Sequence, residues 1–252
     1  MQGMLAAGNT RRVRERLVVG VALVVVCALA WWLTLIHAHG MHASSPHTGR
    51  VAGIFVMWLV MMAAMMLPAV LPMVDVFAAV SRQRHHGSRA YARTTLFVGG
   101  YLIAWSGYSA VATAAHWLLE RSGLLDTMMR STSDLLAGGL FLAAGLYQWT
   151  PLKQACLARC RSPIGFMLTE WRDGPLGALV MGTRHGAYCV GCCAVLMTLL
   201  FAVAVMNVLW VAALTAVVMV EKLLPGEKFW RHAIGAALTL TGITLLLRAP
   251  LA

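Results

Sequence analysis

Charged residues are scarce in this sequence. Only 12% of its 252 residues are charged, 60% are hydrophobic, and the mean hydropathy is +0.75. A soluble globular domain does not tolerate this composition, which is typical of integral membrane proteins. Acidic residues are rarest: 9 Asp and Glu against 20 Lys and Arg give a net charge of +11. The basic residues form short clusters between apolar runs, which argues against a nucleic-acid-binding protein.

Common enzyme signatures are also missing. The sequence has no phosphate-binding glycine loop, no GxSxG and no HExxH. Its six cysteines lie in or beside apolar segments, so they do not fit the disulfide framework of a secreted domain. Cys27, alone in the first apolar run, is most simply a small buried hydrophobic residue. A binding or transfer protein is therefore favoured over an enzyme.

The apolar runs predict an all-α, polytopic transmembrane helix bundle of about seven helices. A basic N-terminal segment at 1–16 precedes a single bundle at 17–248, whose first helix is uncleaved rather than a signal peptide. The expected spans are 17–36, 51–80, 95–119, 135–149, 176–206, 208–223 and 233–247. Prolines predict a kink in the second span, and glycines predict close helix contacts in the third: Gly99, Gly100 and Gly107.

Two segments near the C-terminal third are harder to place. The run at 176–206 is long enough to cross with a tilt or with a break at Gly186 or Gly191, and Asn207 is the expected turn after it. The polar segment at 150–174 either stays at the inner surface or re-enters the membrane.

The distribution of Lys and Arg between the two sides of the membrane predicts the orientation of the protein. With the N-terminus inside, inner segments hold 15 of them and outer segments hold 4, and Arg184 falls within a span. The positive-inside rule therefore predicts a cytoplasmic N-terminus and a periplasmic C-terminus in the inner membrane of a bacterium.

One stripe of the fifth span carries an imidazole and three thiols. In the run RHGAYCVGCCAVLM at 184–197, offsets of four, seven and eight bring these side chains to one helix face: His185, Cys189, Cys192 and Cys193. Soft thiolates with an imidazole suit Cu(I), zinc or iron. Counted from 176, the thiols lie near mid-membrane. Cysteine as a small apolar filler is the alternative.

A second pair, Cys156 and Cys160, lies one helical turn apart in PLKQACLARCRSP. Such a pair can supply two ligands to one ion if the segment folds back against the fifth span. Two unrelated cysteines at the membrane surface are the alternative.

Methionines fill the second span at MWLVMMAAMML. Met57, Met61 and Met65 share one side of this helix, and thioethers select Cu(I) because they are soft and neutral. Methionine is equally an adaptable core residue.

The outer loop after the first span is rich in possible ligands: His37, His39, Met41, His42 and His47. It is either a capture site for copper or zinc, or a flexible loop. Three ionisable residues lie beside the hydrocarbon: Asp75, Glu221 and Lys222. They either have a function or extend their charged ends to the membrane surface, and the sequence favours neither alternative.

Together these blocks resemble a family, the predicted metal-binding integral membrane proteins, known as a bacterial domain of unknown function. The resemblance rests on MWLVMMAAMMLP, PLKQACLARCRSP, HGAYCVGCCAVLM and MNVLWVAALTAVVMVEK. It implies a set of metal-associated positions beside the methionine run: Cys156, Cys160, His185, Cys189, Cys192 and Cys193. The family name itself implies no reaction.

Three hypotheses follow. The first is a membrane protein that binds a soft metal, with copper favoured over zinc or iron, between the second and fifth spans, and exchanges it with a periplasmic metal chaperone or a client metalloenzyme. The second is a thiol-disulfide oxidoreductase that uses Cys189 with Cys192 and Cys156 with Cys160. The third is a non-catalytic assembly subunit of a membrane complex.

Overall fold

The computed structural model describes residues 25, 28, 29, 31, 32, 47–84, 88–125, 131–203, 205 and 207–249. Across these ranges the chain is helical and contains no β-strand, which confirms the all-α prediction for them. The helices are α1 (His47–Arg84), α2 (Ser88–Arg121), α3 (Asp134–Tyr147), α4 (Pro151–Arg161), α5 (Pro163–Glu170), α6 (Gly174–Met197), α7 (Leu200–Val203), α8 (Val208–Leu223) and α9 (Glu227–Arg248).

Several helices are compatible with a membrane protein. Four helical stretches among the described residues are long and apolar enough to cross a bilayer: Arg50–Arg84, Ser88–Arg121, Gly174–Val203 and Glu227–Arg248. α3 and α4 meet at a bend of 66° and would add a fifth span as one broken crossing. α8 has 16 residues, fewer than the roughly 20 that a ~30 Å hydrocarbon core requires. Seven spans and the N-inside orientation stay predictions, and the span at 17–36 lies mostly outside the described residues.

Polar side chains and prolines set several helix starts. Ser133, Thr150 and Asn207 accept backbone N–H groups in the first turns of α3, α4 and α8, which satisfies donors that lack a partner within the helix. Asn207 thus marks the boundary that the sequence predicts. The first turns of α4, α5 and α6 each contain a proline: Pro151, Pro163 and Pro175. Proline is favoured there because its missing N–H has no helical acceptor.

Three helices are compared with the predicted pattern. α1 is one continuous helix through Pro68 and Pro72, and its kink stays a prediction. The polar segment at 150–174 contains α4 and α5. α6 passes both Gly186 and Gly191 without a break and ends at Met197. Of the two alternatives, a tilt or a break, the break does not occur at either glycine, because both face close neighbours: a Cβ atom would lie 2.7 Å from the Ala104 Cβ at the first and 2.7 Å from the Cys156 Sγ at the second.

The tightest helix pair is α2 with α6. Gly100 of α2 and Gly182 of α6 lie at the crossing, where a Cβ atom on either would come closer than 3.0 Å to backbone of the other helix. Small residues at such positions let two backbones approach. A Cβ at Gly99 or Gly107 would meet nothing within 4 Å, so the prediction of close contact is wrong for these two, which lie off the contact face.

α2 is also the main neighbour of α1, so it lies between α1 and α6 in the bundle. On the other side, α3 packs along α9 through a second close crossing at Gly138 and Gly242. α4 lies against α6 and also contacts α8. This arrangement brings the two cysteine-bearing helices, α4 and α6, together.

Candidate metal centre

One face of α4 is turned toward the bundle. Counted from Lys153, Cys156, Leu157 and Cys160 lie at offsets of three, four and seven, which places them on a common stripe. Lys153 and Leu157 are buried, and the two cysteines are partly buried against the hydrophobic core. The stripe therefore carries both an anchor and two thiols.

The anchor is a buried ion pair. Lys153 Nζ lies 2.8 Å from Glu221 Oε2 on α8, with both side chains at 2% exposure or less. Gln148 donates to the same carboxylate at 2.8 Å. Arg161 donates to the backbone carbonyls of Glu221 and Leu224. Because buried charges need partners, these contacts fix the position of α4 beside α8.

The thiols of α4 and α6 meet at this position. The Sγ atoms of Cys160 and Cys192 are 3.8 Å apart, and those of Cys192 and Cys193 are 3.3 Å apart. The Cys192 thiol also donates to the Cys189 carbonyl at 3.1 Å. Sulfur ligands of one metal ion can lie up to about 4.6 Å apart, given metal–sulfur bonds of about 2.3 Å. Both sulfur–sulfur distances fall within this limit, and all four thiols are free.

Cys156 lies at the edge of this group. Its sulfur lies against Gly191 of α6, where a side chain would displace it. The Tyr147 hydroxyl donates to the Gly191 carbonyl from the end of α3. Gly191 therefore gives α4 the room to approach α6.

Two residues that the sequence analysis did not assign to the site contact Cys189. Lys222 Nζ of α8 donates to the Cys189 sulfur at 2.8 Å, and the Tyr101 hydroxyl of α2 lies 3.0 Å from the same atom. Both side chains are buried. Lys222 had a sequence signal, a charge inside an apolar run, but Tyr101 had none, because aromatic residues are common in such helices.

His185 packs among aromatic rings. Its ring packs edge-on against Phe166 of α5, at 5.2 Å between centroids, and near Phe97 and Tyr101. The ring is buried, and its Nδ1 atom has no hydrogen-bond partner. His185 and the three cysteines of α6 are thus all buried, as one helix face predicts. The imidazole, one turn before the first thiol, packs against aromatic rings.

The methionine run is buried in the core that also contains the thiols. Met57, Met61 and Met65 are all within it. The Tyr101 hydroxyl donates to the Met66 carbonyl at 3.1 Å, so Tyr101 connects α1 with Cys189. The thiol contacts join α4 with α6, and α2 packs against both α1 and α6. A metal site between α1 and α6 stays a prediction.

Two contacts show where the thiols lie along the neighbouring helices. Cys189 contacts Lys222, the residue before the last of α8, and Gly191 contacts Tyr147, the last of α3. The thiols are therefore level with the ends of α3 and α8. Their depth near mid-membrane stays a prediction.

No group of three or more His, Cys, Asp or Glu side chains in the described ranges is already placed to hold a metal ion. The thiols are engaged by protein partners instead: Cys189 by Lys222, and Cys192 by the Cys189 carbonyl at 3.1 Å. The donor set nevertheless fits a soft cation, which would replace these partners. The outer cluster of His37, His39, Met41 and His42, with the side chain of His47, lies outside the described residues.

Comparison with known proteins places these motifs in a family. No curated protein and no solved structure matches the chain. Residues 55–245 match the family model PpoB2, described as a copper chaperone. The match covers α4, α6 and α8, and it supports copper handling by a metal-related family. Because the matched residues make up more than half of the sequence, the chain belongs to the PpoB2 copper chaperone family.

Proposed function

We propose that this protein handles copper in the bacterial inner membrane and holds Cu(I) in a sulfur site between α4 and α6. The observation that carries the proposal is the contact between Cys160 and Cys192, whose sulfur atoms are 3.8 Å apart. Cys189 and Cys193 extend the group, and Cys156 lies at its edge. The copper chaperone family supports the same metal.

The donor type favours Cu(I) over harder ions. Thiolates and thioethers are soft ligands that select Cu(I), and the described site brings no carboxylate to the thiols, because Glu221 is engaged by Lys153 and Gln148. Structural zinc sites are closed by four ligands. A chaperone instead has to release its cargo, and partners such as Lys222 and the Cys189 carbonyl can reoccupy the thiols as the ion leaves.

The remaining predicted ligands take accessory roles in this proposal. Met57, Met61 and Met65 form a thioether path within the core shared with the thiols, and the outer histidines capture the ion before it enters that path. His185 is a further donor, supported by its buried and unpartnered Nδ1 atom. A periplasmic metal chaperone or a client metalloenzyme exchanges the ion with this protein.

Copper analysis of the purified protein tests the proposal. The wild type, prepared in detergent under anaerobic and reducing conditions, should retain about one equivalent of Cu(I) after a desalting step. A Cys189→Ser, Cys192→Ser and Cys193→Ser variant should retain none, whereas Cys27→Ser, which changes a cysteine outside the motifs, should behave as wild type. Equal copper in the triple variant and the wild type would reject the site.

One observation favours the thiol-disulfide oxidoreductase as a second function. Cys160 and Cys192 are close enough to form a disulfide after small side-chain rotations. This pairing differs from the predicted pairs, Cys189 with Cys192 and Cys156 with Cys160. A redox enzyme would cycle this bond with a partner dithiol, so replacing one thiol should trap a mixed disulfide with that partner. A copper site yields no such adduct.

A further inference from the structure

Lys222 brings a positive charge into the thiol group. Its Nζ atom is 2.8 Å from the Cys189 sulfur, and the residue is 9% exposed. A buried ammonium group is costly unless an anion or a strong acceptor compensates it. The effect of the Lys222 charge on the thiol group therefore depends on which acceptor compensates it.

The nearest carboxylate in the sequence does not serve as that partner. The Glu221 carboxylate accepts two hydrogen bonds from Lys153 Nζ and a third from Gln148, at distances of 2.8 to 3.1 Å. That ion pair is already neutral. The acceptor that the structure gives Lys222 is the Cys189 sulfur, so its charge belongs to the thiol group.

We infer that Lys222 makes the sulfur site selective for a monovalent soft cation over a divalent one. The inference rests on the proposed function, since it concerns the metal held by the same thiols. A monovalent ion bound by two thiolates, those of Cys160 and Cys192, with Cys189 and Cys193 as neutral thiols, carries one net negative charge, which the ammonium group cancels. A divalent ion bound by the same two thiolates is already neutral, so the ammonium group leaves one uncompensated positive charge.

Burial turns this difference into selectivity. Charges a few ångströms apart interact strongly when water is excluded, and an uncompensated buried charge is heavily penalised. Cys192 contacts the Cys160 and Cys193 sulfurs and the Cys189 carbonyl, and Lys222 approaches the Cys189 sulfur from α8. Lys222 is thus a specificity residue that acts through charge and does not need to ligate the ion.

The test compares two soft ions that differ in charge, Cu(I) and Cd(II), on the full-length protein in detergent without oxygen. Their dissociation constants are measured by competition with chelators of known affinity, and sulfur ligation of Cd(II) is followed by its ultraviolet charge-transfer band. Lys222→Leu removes the charge and adds no metal-binding atom. The preference for Cu(I) over Cd(II) should fall by about tenfold or more in this variant.

Three further variants separate charge from other effects. Lys222→Arg keeps the charge and should keep the preference. Lys222→Gln removes the charge but keeps a donor for the sulfur, so it should lose the preference even if Lys222→Leu fails to fold. Lys228→Leu removes an exposed charge on α9 and should leave the preference unchanged.

The outcomes distinguish this inference from the proposed function. If the wild type takes up no Cu(I), the proposed function fails. If the wild type binds Cu(I) and Lys222→Gln shows the wild-type preference, the selectivity role is wrong while the copper site remains. A shift of the same size in Lys222→Arg would also overturn the inference, because that variant retains the charge.

Discussion

Cys160 of α4 and Cys192 of α6 place their sulfur atoms 3.8 Å apart across 32 positions of sequence. Their contact depends on other residues of the three helices. The Lys153–Glu221 ion pair fixes α4 beside α8, and Gly191 leaves room for α4 against α6. Two short motifs therefore become one site only through the packing of three helices.

Oxidation should join α4 to α6 directly. A protein that keeps only Cys160 and Cys192, with its other cysteines changed to serine, should form an intramolecular disulfide with a mild oxidant because the thiols already touch. Thiol labelling followed by mass spectrometry measures the bond. Bound Cu(I) should block it under the same conditions.

A protein with Cys160 alone is the control for bonds between molecules. If the two-cysteine protein keeps both thiols reactive, α4 and α6 do not meet as described.

The close crossing of α2 and α6 should be sensitive at Gly100 and insensitive at Gly99. Gly100→Ala places a Cβ atom against the α6 backbone, which should lower the free energy of unfolding by about 1–3 kcal/mol. Gly99→Ala meets no atom within 4 Å, and should change that free energy by less than about 0.5 kcal/mol. Thermal unfolding in detergent compares them, and equal losses in both variants would contradict the crossing.

Removing one partner of the buried ion pair should be costly. Glu221→Gln leaves the Lys153 ammonium group without its carboxylate, and should destabilise the protein by about 3–5 kcal/mol. Because this pair holds α4, the variant should also slow disulfide formation between Cys160 and Cys192. Denaturant unfolding and the oxidation assay report the two effects.

The exposed pair of Arg84 and Asp173 provides the comparison. Asp173→Asn removes a surface contact of 3.5 Å between exposed side chains, and should cost less than about 1 kcal/mol. A loss in Glu221→Gln no larger than this would show that the pair is not a buried anchor.

Local patterns predicted much of the fold. Apolar runs located the long helices α1, α2, α6 and α9, because burial and length in a membrane leave few other structures. Helix ends were less predictable, as α6 shows. Glycine within a helix marks either a break or a close contact, and only the neighbouring helix decides between them.

The sequence predicted which cysteines cluster but not how they are arranged, and their binding of a metal stays a prediction. Helical periodicity put Cys189, Cys192 and Cys193 on one face, and the structure brings Cys160 to them. The spacing gave no sign of Tyr101, which reaches the site from α2 through the packing of whole helices. The position of Lys222 beside Cys189 likewise depends on where α8 ends.

X-ray absorption at the copper edge tests the central claim most directly. The Cu(I)-loaded wild type should show sulfur neighbours at about 2.2–2.3 Å, and Cys160→Ser and Cys192→Ser should each lower the number of sulfur neighbours, because the two thiols come from different helices and share one ion. Copper surrounded only by nitrogen and oxygen, or a sulfur count unchanged in both variants, would contradict a Cu(I) site between α4 and α6.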